Sequence, residues 1–409
     1  MSSRLLSVFT VAMALAACTP TDDPSLMVST EGIQSPAGAQ SGEPFLSMDG
    51  DGVLMSWLEQ SGEGHDLRFA RYDGTAWGEA RTIAHRSDFF VNWADFPSVR
   101  SGPDGVLWAH WLQRGEAGGY DYVVRVTHSD DGGASWAEPW TLHEDDSPTE
   151  HGFVSAFVDG DDLGFVWLDG RKNDPERLAS MGESAGEMTL RSRTVSPTGT
   201  PGQEILLDGR VCDCCQTASA VTDAGAVVVY RNRSDVEIRD IYVTRSVDGE
   251  WVEGVSVHDD GWEIAGCPVN GPAIAASGRQ VAVAWFTAPD NVARAKVAFS
   301  DDGGATFGEP IVVDDGNPAG RVDVMMLPDG SVVVTWVERT GGDGAEVRMR
   351  VVDAGAGAGE SRSLTTTSST RPSGFPRIAS LGSETFVMAW TDVSGEEPRV
   401  RVERVEMAR

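Results

Sequence analysis

The sequence predicts an all-β protein, specifically a seven-bladed β-propeller; a six-bladed ring is the alternative if one repeat unit is irregular. Gly is abundant, at 47 of 409 residues, and helix-like patterns are scarce, which favours many short strands joined by tight turns. A short apolar strand that ends near an aromatic residue recurs seven times, at intervals of 51 to 63 residues. Each copy is followed by a strand of alternating apolar and polar residues, as expected for half-exposed strands. Repeated four-stranded units of this length are typical of propeller blades.

The recurring apolar strand supplies one member of each predicted blade. Its seven copies end at Trp57, Trp111, Trp167, Tyr230, Trp285, Trp336 and Trp390. The last unit, residues 371–409, contains only three predicted strands. The segment MVSTEGI at 27–33 is predicted to pair with this unit as its missing outer strand, which closes the ring and removes a free sheet edge.

The first eighteen residues, MSSRLLSVFTVAMALAAC, have the features of an export signal. Arg4 precedes an apolar run that is too short to span a bilayer comfortably. The run ends in Leu15-Ala16-Ala17-Cys18, which resembles a bacterial lipobox and implies cleavage before Cys18 and lipidation of that residue. The alternative is an ordinary secretory signal with an incidental cysteine.

These features predict the organisation of the chain and its location. We expect a lipoprotein signal peptide at 1–18, a polar tether at 19–25 and a single propeller domain at 26–409. The mature chain is then held in the bacterial cell envelope by its lipid, and Thr19 after the cysteine favours the outer membrane, on its periplasmic or surface side.

The net charge excludes one class of partner. Lys and Arg number 32 and Asp and Glu 63, so the formal charge is 32 − 63 = −31. A chain this acidic repels nucleic acid and anionic lipid. We therefore expect no nucleic-acid partner, contact with a membrane only through the lipid anchor, and a monomer.

Two turns carry a motif with a known structural role. SDDGGASW spans 129–136 and SDDGGATF spans 300–307, and YDGTAW at 72–77 and SVDGEW at 246–251 are shorter relatives. The motif resembles the Asp box, or BNR repeat, of the sialidase superfamily, in which the Asp carboxylate accepts turn amides and the aromatic residue packs between sheets. The resemblance covers nearly the whole mature chain and suggests a bacterial sialidase-like lipoprotein. Sialidases resemble six-bladed propellers, so a count of seven departs from that family.

Strand alternation sorts the loops between the two faces of the ring. The connections between blades and the loops from second to third strand share one face, here called the loop face, and the Asp-box turns lie on the other, the turn face. Propellers usually bind ligands on the loop face, near the axis. The main functional prediction is recognition of a glycan or another anionic small molecule in an arginine-rich funnel there. Its candidate ligand-binding residues are Arg171, Arg233, Arg239, Arg371, Asp323, Trp262 and Trp93.

An exo-glycosidase of sialidase type is the second hypothesis. The resemblance implies three arginines for a substrate carboxylate, a Tyr nucleophile activated by Glu, and an Asp acid/base. The candidates for these roles are Arg321, Arg377, Arg231, Asp240, Glu237 and Tyr242. Two departures weigh against it: EPFLS at 43–47 lacks the arginine of the family's Phe-Arg-Ile-Pro motif, and no Tyr–Glu pair can be assigned by motif. In the plainer alternative, these arginines and carboxylates pair with each other to stabilise loops.

Four cysteines remain once Cys18 is assigned to lipid. They are Cys212, Cys214, Cys215 and Cys267. In an exported protein an even number suggests disulfides, and Cys267 is placed to bridge to one member of the triplet across a blade boundary. No cofactor is firmly implied, but zinc or a soft metal ion at this cluster, or a redox role, stays open. A metal- or thiol-handling protein is therefore the third hypothesis.

Overall fold

The computed structural model describes residues 26–181 and 186–408, and the predicted signal peptide, the tether and Cys18 lie outside these ranges. The described chain forms seven antiparallel sheets of four or five strands. They are the blades of a seven-bladed β-propeller, which confirms the predicted fold.

The strands are numbered in chain order. Blade 1 contains β2 (Ser41–Asp49), β3 (Gly52–Ser61), β4 (Gly64–Tyr72) and β5 (Arg81–Arg86); blade 2 contains β6 (Ser98–Ser101), β7 (Leu107–Arg114), β8 (Tyr122–Ser129) and β9 (Trp140–Thr141); blade 3 contains β10 (His151–Asp159), β11 (Asp162–Asp169), β12 (Met188–Val195) and β13 (Ile205–Val211); blade 4 contains β14 (Ala218–Thr222), β15 (Gly225–Arg231), β16 (Ile241–Val247), β17 (Glu250–Trp251) and β18 (Val255–Ser256). Blade 5 contains β19 (Ala273–Ser277), β20 (Gln280–Thr287), β21 (Arg294–Ser300) and β22 (Ile311–Val312); blade 6 contains β23 (Pro318–Met326), β24 (Val332–Gly341), β25 (Gly344–Asp353), β26 (Gly357–Ala358) and β27 (Arg362–Ser368); blade 7 contains β28 (Arg377–Ser380), β29 (Thr385–Asp392), β30 (Arg399–Ala408) and β1 (Met27–Ile33).

Helical structure among the described residues is confined to the connections. One α-helix, α1, spans Pro175–Met181, and single 3₁₀ turns occur at Pro103–Gly105, Arg171–Asn173, Pro289–Asn291 and Arg371–Ser373. No helix in the described ranges is long and apolar enough to cross a bilayer.

The ring is closed by the first strand, as predicted. β1 pairs antiparallel with β30 in an unbroken register from Met27↔Ala408 to Ile33↔Val402. The first described strand, β1, therefore forms the outer edge of blade 7, and the last strand, β30, lies next to it inside the sheet. This pairing joins the two ends of the ring through main-chain hydrogen bonds.

The recurring tryptophans hold the blades together. Trp57, Trp167 and Trp336 occupy equivalent places on the second strands, and none of them is exposed to solvent. Each indole N–H donates to a carboxylate two residues further on: to Glu59 at 3.0 Å, to Asp169 at 3.0 Å and to Glu338 at 2.7 Å. A buried indole needs such a partner, so the recurring Trp-x-acid pattern follows from packing.

Three inner strands bend where they enter the ring. The ladders of β2, β10 and β23 shift register between Gly42 and Phe45, Gly152 and Ser155, and Gly320 and Asp323. At each bulge a side-chain-bearing residue has a left-handed backbone; these residues are Glu43 (φ 53°), Phe153 (φ 54°) and Arg321 (φ 55°). Bulges redirect side chains at barrel rims and functional sites. Here they lie where the inner strands begin, around the axis.

The turns that follow the third strands of blades 2 and 5 share one hydrogen-bond pattern. Asp131 Oδ1 accepts the amides of Ala134 and Ser135, both at 2.9 Å. Asp302 Oδ1 accepts the amides of Ala305 and Thr306 at the same distance. Both turns lie on the turn face, opposite the long loops.

Candidate functional site

A cavity of about 640 Å³ runs along the axis of the ring. Every blade contributes to its wall from the innermost strand or the residues that lead into it; one residue from each, in blade order, is Phe45, Arg100, Ser155, Ala218, Ile274, Asp323 and Arg377. The wall reaches from Gln216 near the loop face to the first turns of blades 5 and 6 on the turn face. It is mostly apolar, with few charged groups, as is typical of ligand cavities.

The loop-face end of this cavity is covered by side chains from the connections into blades 2, 4 and 7. Trp93 stacks on Phe375 of the connection into blade 7, with ring centroids 5.7 Å apart. Its ring also lies 5.1 Å from the guanidinium carbon of Arg321, which belongs to blade 6, across the axis. Gln216 adds to the cover, because its side-chain amide donates to the Ala94 carbonyl at 2.6 Å and accepts the Gly271 amide at 2.8 Å.

Both terminal nitrogens of Arg321 are hydrogen-bonded to protein acceptors. One terminal nitrogen donates to the Ser373 hydroxyl at 2.6 Å and to the Gly374 carbonyl at 3.0 Å. The other donates to the carbonyls of Ser369 and Thr370, both at 3.0 Å. Burial lowers the pKa of Arg321 to about 10, and the nearby positive charge of Arg339 adds to this effect. Arg321 therefore ties the loop before blade 7 to blade 6.

Arg100 and Arg377 present the contrasting case. Both line the cavity and both flank the ring of Phe45, with guanidinium carbons 4.8 and 5.5 Å from its centroid. Within the described chain neither guanidinium makes a hydrogen bond, and both Nε atoms are buried without a partner. Among the residues that the structure describes, their one ion pair joins Arg377 to Asp323 at 4.0 Å. Burial lowers the pKa of Arg100 to about 10, with a further contribution from Arg377, and it also lowers the pKa of Arg377.

Asp323 is the acidic member of this group. Its oxygens accept the amides of Val324 at 3.0 Å and Ile378 at 2.9 Å, and burial raises its pKa. Of the residues predicted from the sequence, Arg377 and Asp323 line the cavity, whereas Arg321, also expected near the axis, and Trp93 pack beside it. Sequence reasoning missed Arg100, although a charged residue on the innermost strand β6 is a signal that the sequence contains.

The predicted residues of blade 4 have structural contacts. Arg231 is 2% exposed and donates only to carbonyls: Asn270 at 2.8 and 3.1 Å, Arg239 at 2.6 Å and Phe286 at 2.7 Å. Trp262 is buried above its guanidinium, 5.0 Å from ring centroid to Cζ. Asp240 accepts the amides of Gly261 and Trp262, and burial raises its pKa. Together they fix the connection from blade 4 to blade 5.

Two further arginines pair with one carboxylate on the loop face. Arg233 and Arg239 contact Glu237 at 2.7 and 2.8 Å. The hydrogen bond from Arg233 lowers the pKa of Glu237 to about 2, and Arg239 contributes as well. Asp213 lies 3.4 Å from Arg233 and 3.6 Å from Arg239. In this cluster the two positive charges of Arg233 and Arg239 are balanced by the two negative charges of Glu237 and Asp213.

The remaining predicted residues lie apart from the cavity. Arg171 binds Asp169 and Glu204, each at 2.6 Å, within blade 3. Tyr242 sits on the third strand of blade 4, half-buried beside Tyr230, and burial raises its pKa. Arg371 is exposed on the 3₁₀ turn before blade 7.

A tyrosine–carboxylate cluster, which no sequence motif indicates, occurs between blades 2 and 3. The Tyr122 hydroxyl lies 2.8 Å from Glu150 and 3.2 Å from Asp95. Burial raises the pKa of Glu150 to about 7 and that of Asp95 well above its usual range. A phenol donates one proton, so the second carboxyl must carry a proton of its own. Tyr122 itself is 0% exposed, with Phe90 stacked on its ring at 4.0 Å.

An acidic–histidine cluster nearby has the donor types of a metal site. Candidate ligand atoms of Asp145, His151 and Asp169 lie within 4.8 Å of one another. However, Arg171 donates to both oxygens of Asp169, at 2.6 and 2.8 Å. A cation would have to displace that guanidinium, so the side chains fit an ion-pair network better than a metal centre.

The cysteines combine one bridge with two thiols. Cys214 and Cys267 form a disulfide across the boundary of blades 4 and 5, as predicted for Cys267, with Cα atoms 6.1 Å apart. Cys212 and Cys215 are not bridged, although the sequence favoured disulfides throughout; both are buried, with sulfurs 3.5 Å apart. The hydrogen bond with Cys215 lowers the pKa of Cys212 to about 6 against the opposing effect of burial, and Arg231 and Arg239 lower it further. Cys212 and Cys215 have the C-x-x-C spacing, which the sequence interpretation overlooked.

Comparisons with known proteins identify the fold. No family model matches this chain, and no curated protein matches it. The BP39L lectin from Burkholderia pseudomallei is similar with a TM-score of 0.57 and 12% identity, over 92% of this chain and 95% of the lectin. A protein of unknown function from Dyadobacter fermentans has a TM-score of 0.53 and 14% identity, over 94% of this chain and 100% of its own.

An ulvan lyase of polysaccharide lyase family 25, solved bound to -[GlcA(1-4)Rha3S]-, is also similar. Its TM-score is 0.50 and its identity 14%, over 79% of this chain and 81% of the lyase. At these identities the likenesses show a propeller fold shared with lectins and polysaccharide lyases. Membership of the sialidase superfamily stays a prediction.

Proposed function

We propose that this chain is an exported, lipid-anchored propeller that recognises an anionic small ligand, such as an acidic or sulfated sugar, in its axial cavity through Arg100 and Arg377. The export signal and the lipid on Cys18 are part of the proposal. So is the assignment of the turns at 129–136 and 300–307 as Asp boxes with a structural role.

One observation carries the proposal: the cavity holds two guanidiniums that no group in the described chain satisfies by hydrogen bonding. A guanidinium that is removed from water without hydrogen-bond acceptors is unfavourable, so structural arginines in proteins are hydrogen-bonded. Arg321 and Arg231 follow that rule with four acceptor contacts each. Arg100 and Arg377 depart from it, and an anionic ligand would supply their missing acceptors.

The chemistry of the wall defines the ligand class. A guanidinium matches a carboxylate or sulfate through two parallel N–H···O bonds. Phe45 lies between the two arginines and offers an apolar ring of the kind on which sugars stack. A lectin and a lyase solved with an acidic, sulfated saccharide share the fold, which supports this ligand class.

Trp93, Phe375 and Gln216 cover the loop-face end, so the proposed entrance is the turn-face end. Ser277 ends the inner strand of blade 5, Pro328 and Ser383 lie in the short turns after the inner strands of blades 6 and 7, and all three line the cavity there. The proposed ligand entrance therefore lies on the turn face, at the opposite end of the axis from the loop-face funnel that the sequence predicted.

The exo-glycosidase hypothesis is less well supported. It needs an accessible tyrosine beside a carboxylate, and the Tyr–Glu pair of the described chain is buried beneath Phe90. Of the arginines assigned to it, Arg321 and Arg231 already make four hydrogen bonds each to protein acceptors. Arg377 alone of that trio faces the cavity.

The test is binding by titration calorimetry with sodium glucuronate, N-acetylneuraminate and galactose 6-sulfate, with glucose as the uncharged probe. We expect at least one anionic sugar to bind and glucose to fail. Arg377→Met should weaken binding about 10- to 100-fold, the usual worth of one charge-assisted contact. Arg401→Met is the matched control, because Arg401 lies in the same blade but pairs with Asp392 on the surface.

Two results would contradict the proposal. Equal binding of glucose and the acidic sugars would show that charge is not recognised. Unchanged affinity in both Arg100→Met and Arg377→Met would place the ligand elsewhere, and loss of affinity in Arg371→Met would then return the site to the loop face.

A further inference from the structure

The four cysteines form two pairs that differ in accessibility. Cys267 is exposed and Cys214 is half-buried, so the disulfide between them can be reached from solvent. Cys212 and Cys215 are 1% and 2% exposed, so their thiols lie behind that disulfide.

The two pairs are close enough to exchange. The sulfur of Cys212 lies within 4.8 Å of both Cys214 Sγ and Cys267 Sγ. It also lies 3.5 Å from the sulfur of Cys215. Thiol–disulfide exchange proceeds by attack of a thiolate on a disulfide sulfur, so Cys212 occupies the position from which both steps of an internal exchange can run.

A buried guanidinium faces the sulfur of Cys212. Nη1 of Arg239, a residue 3% exposed, lies 3.3 Å from Cys212 Sγ. A cation in contact with a sulfur favours the thiolate, which is the nucleophile. The paired carboxylate Glu237 holds Arg239 from the other side at 2.8 Å, so its position is fixed.

We propose that the four cysteines form a thiol–disulfide relay, in which the buried Cys212–Cys215 pair exchanges electrons with dithiol or disulfide partners through the surface Cys214–Cys267 disulfide. This inference is independent of ligand binding in the axial cavity.

The internal steps balance without an external reagent. Cys212 thiolate attacks Cys267 Sγ; the Cys212–Cys267 bond forms, the Cys214–Cys267 bond breaks, and Cys214 leaves and takes up a proton. The Cys215 thiol then loses its proton as its sulfur attacks Cys212 Sγ; the Cys212–Cys215 bond forms, the Cys212–Cys267 bond breaks, and Cys267 leaves and takes up a proton as an exposed thiol. Two electrons and two protons have moved from the inner pair to the outer pair. Attack at Cys267 also avoids a bridge between residues two apart, which ordinary disulfide geometry disfavours.

The outer pair, now reduced, completes the reaction with a partner. It transfers two electrons to a substrate disulfide, yielding two substrate thiols and restoring Cys214–Cys267. A dithiol partner returns two electrons to the protein and is itself oxidised to a disulfide. The partner class is therefore a disulfide- or dithiol-bearing molecule of the exported compartment.

The experiment uses the full chain, purified without reductant and mapped by alkylation and peptide mass spectrometry. We expect Cys214–Cys267 to be bridged and Cys212 and Cys215 to be thiols. Glutathione disulfide should then oxidise the inner pair and release two glutathione thiols per chain. In the double variant Cys214→Ser/Cys267→Ser, that oxidation should be about tenfold slower or more, because the buried thiols lose their accessible intermediary.

A second variant keeps all four cysteines and guards against misfolding of the first. Arg239→Met should slow oxidation of the inner pair about tenfold, since the thiolate loses its cation. Arg210→Met should not, because Arg210 lies in the same cluster and pairs with Asp235 but contacts no sulfur. Equal rates in the wild type, the double-serine variant and Arg239→Met would overturn the relay. So would isolation of the chain with a soft metal ion bound by four unbridged thiolates.

Discussion

Replacement of Arg100 by Met should stabilise the ligand-free protein while weakening its ligand binding. Met keeps a long apolar stem against Phe45 and removes a charge that has no acceptor in the described chain. A structural arginine would behave in the opposite way, because its removal leaves buried acceptors unsatisfied.

The magnitude follows from two opposing terms. Burial lowers the pKa of Arg100 from 12.5 to about 10, and at 1.36 kcal/mol per pH unit the charge costs about 3 kcal/mol at neutral pH. The sign is fixed because the folded-state pKa lies below the unfolded one, so the cost is fully present at any pH below about 10. Loss of the cation–π contact with Phe45 removes about 1 kcal/mol of favourable energy. Solvation of the guanidinium in the cavity reduces the first term, so the net gain is about 1–2 kcal/mol.

The assay is urea-induced unfolding at pH 7, followed by tryptophan fluorescence, alongside calorimetric titration of the acidic sugar. We expect the free energy of unfolding to rise by about 1–2 kcal/mol and the affinity to fall about 10- to 100-fold. A variant destabilised by 1 kcal/mol or more, with unchanged affinity, would refute the reasoning and make Arg100 a structural residue.

Three further predictions concern the scaffold. Arg231→Met should lower the free energy of unfolding by about 3 kcal/mol or more, measured by urea titration, because three buried carbonyls lose their donors; a change below 1 kcal/mol would contradict this. Deletion of β1 should expose the edge of β30 and cause aggregation on mild heating, visible by light scattering, whereas unaltered thermal unfolding would show that closure contributes little. Burial raises the pKa of Glu43 and of Glu150 from 4.5 to about 7, so their contribution to stability is full below pH 4.5 and is lost as pH rises through 7. At 1.36 kcal/mol per pKa unit each shift is worth at most about 3 kcal/mol, so stability should fall by at most about 6 kcal/mol across that window. The double variant Glu43→Gln/Glu150→Gln should flatten the profile in urea titrations, and a profile unchanged by the substitutions would contradict the assignment.

The fold was predictable because its signals are local. Each blade repeats a strand that ends in an aromatic residue, and an indole such as that of Trp57 or Trp336 must be buried with a hydrogen-bond acceptor close by in sequence. The closing strand was predictable for the same reason, since the last unit lacked one strand and an alternating segment preceded the first. Period and strand count need no knowledge of tertiary contacts.

The role of each arginine was not predictable, because it depends on where distant carbonyls lie. The partners of Arg321 are 48 to 53 residues away, and two acceptors of Arg231 are 39 and 55 residues away. No sequence pattern announces such a contact. The C-x-x-C spacing of Cys212 and Cys215 was visible, but the intervening Cys214 drew attention to the triplet as a whole. In the structure, Cys214 is bridged to Cys267, which leaves Cys212 and Cys215 as a separate thiol pair.

The buried arginines differ in how many hydrogen bonds they make, and this difference supports a functional site at the axis. Arg321 and Arg231 show that this fold can give a buried guanidinium four hydrogen-bond acceptors when the residue has a structural purpose. Arg100 and Arg377 flank an aromatic ring in a largely apolar cavity, where Leu or Met would pack without an electrostatic cost. Residues that lower stability in this way are expected at functional sites. A guanidinium whose donors are already hydrogen-bonded within the protein has no donors available for a ligand. The arginines that the structure satisfies least are therefore the ones best able to bind an anion.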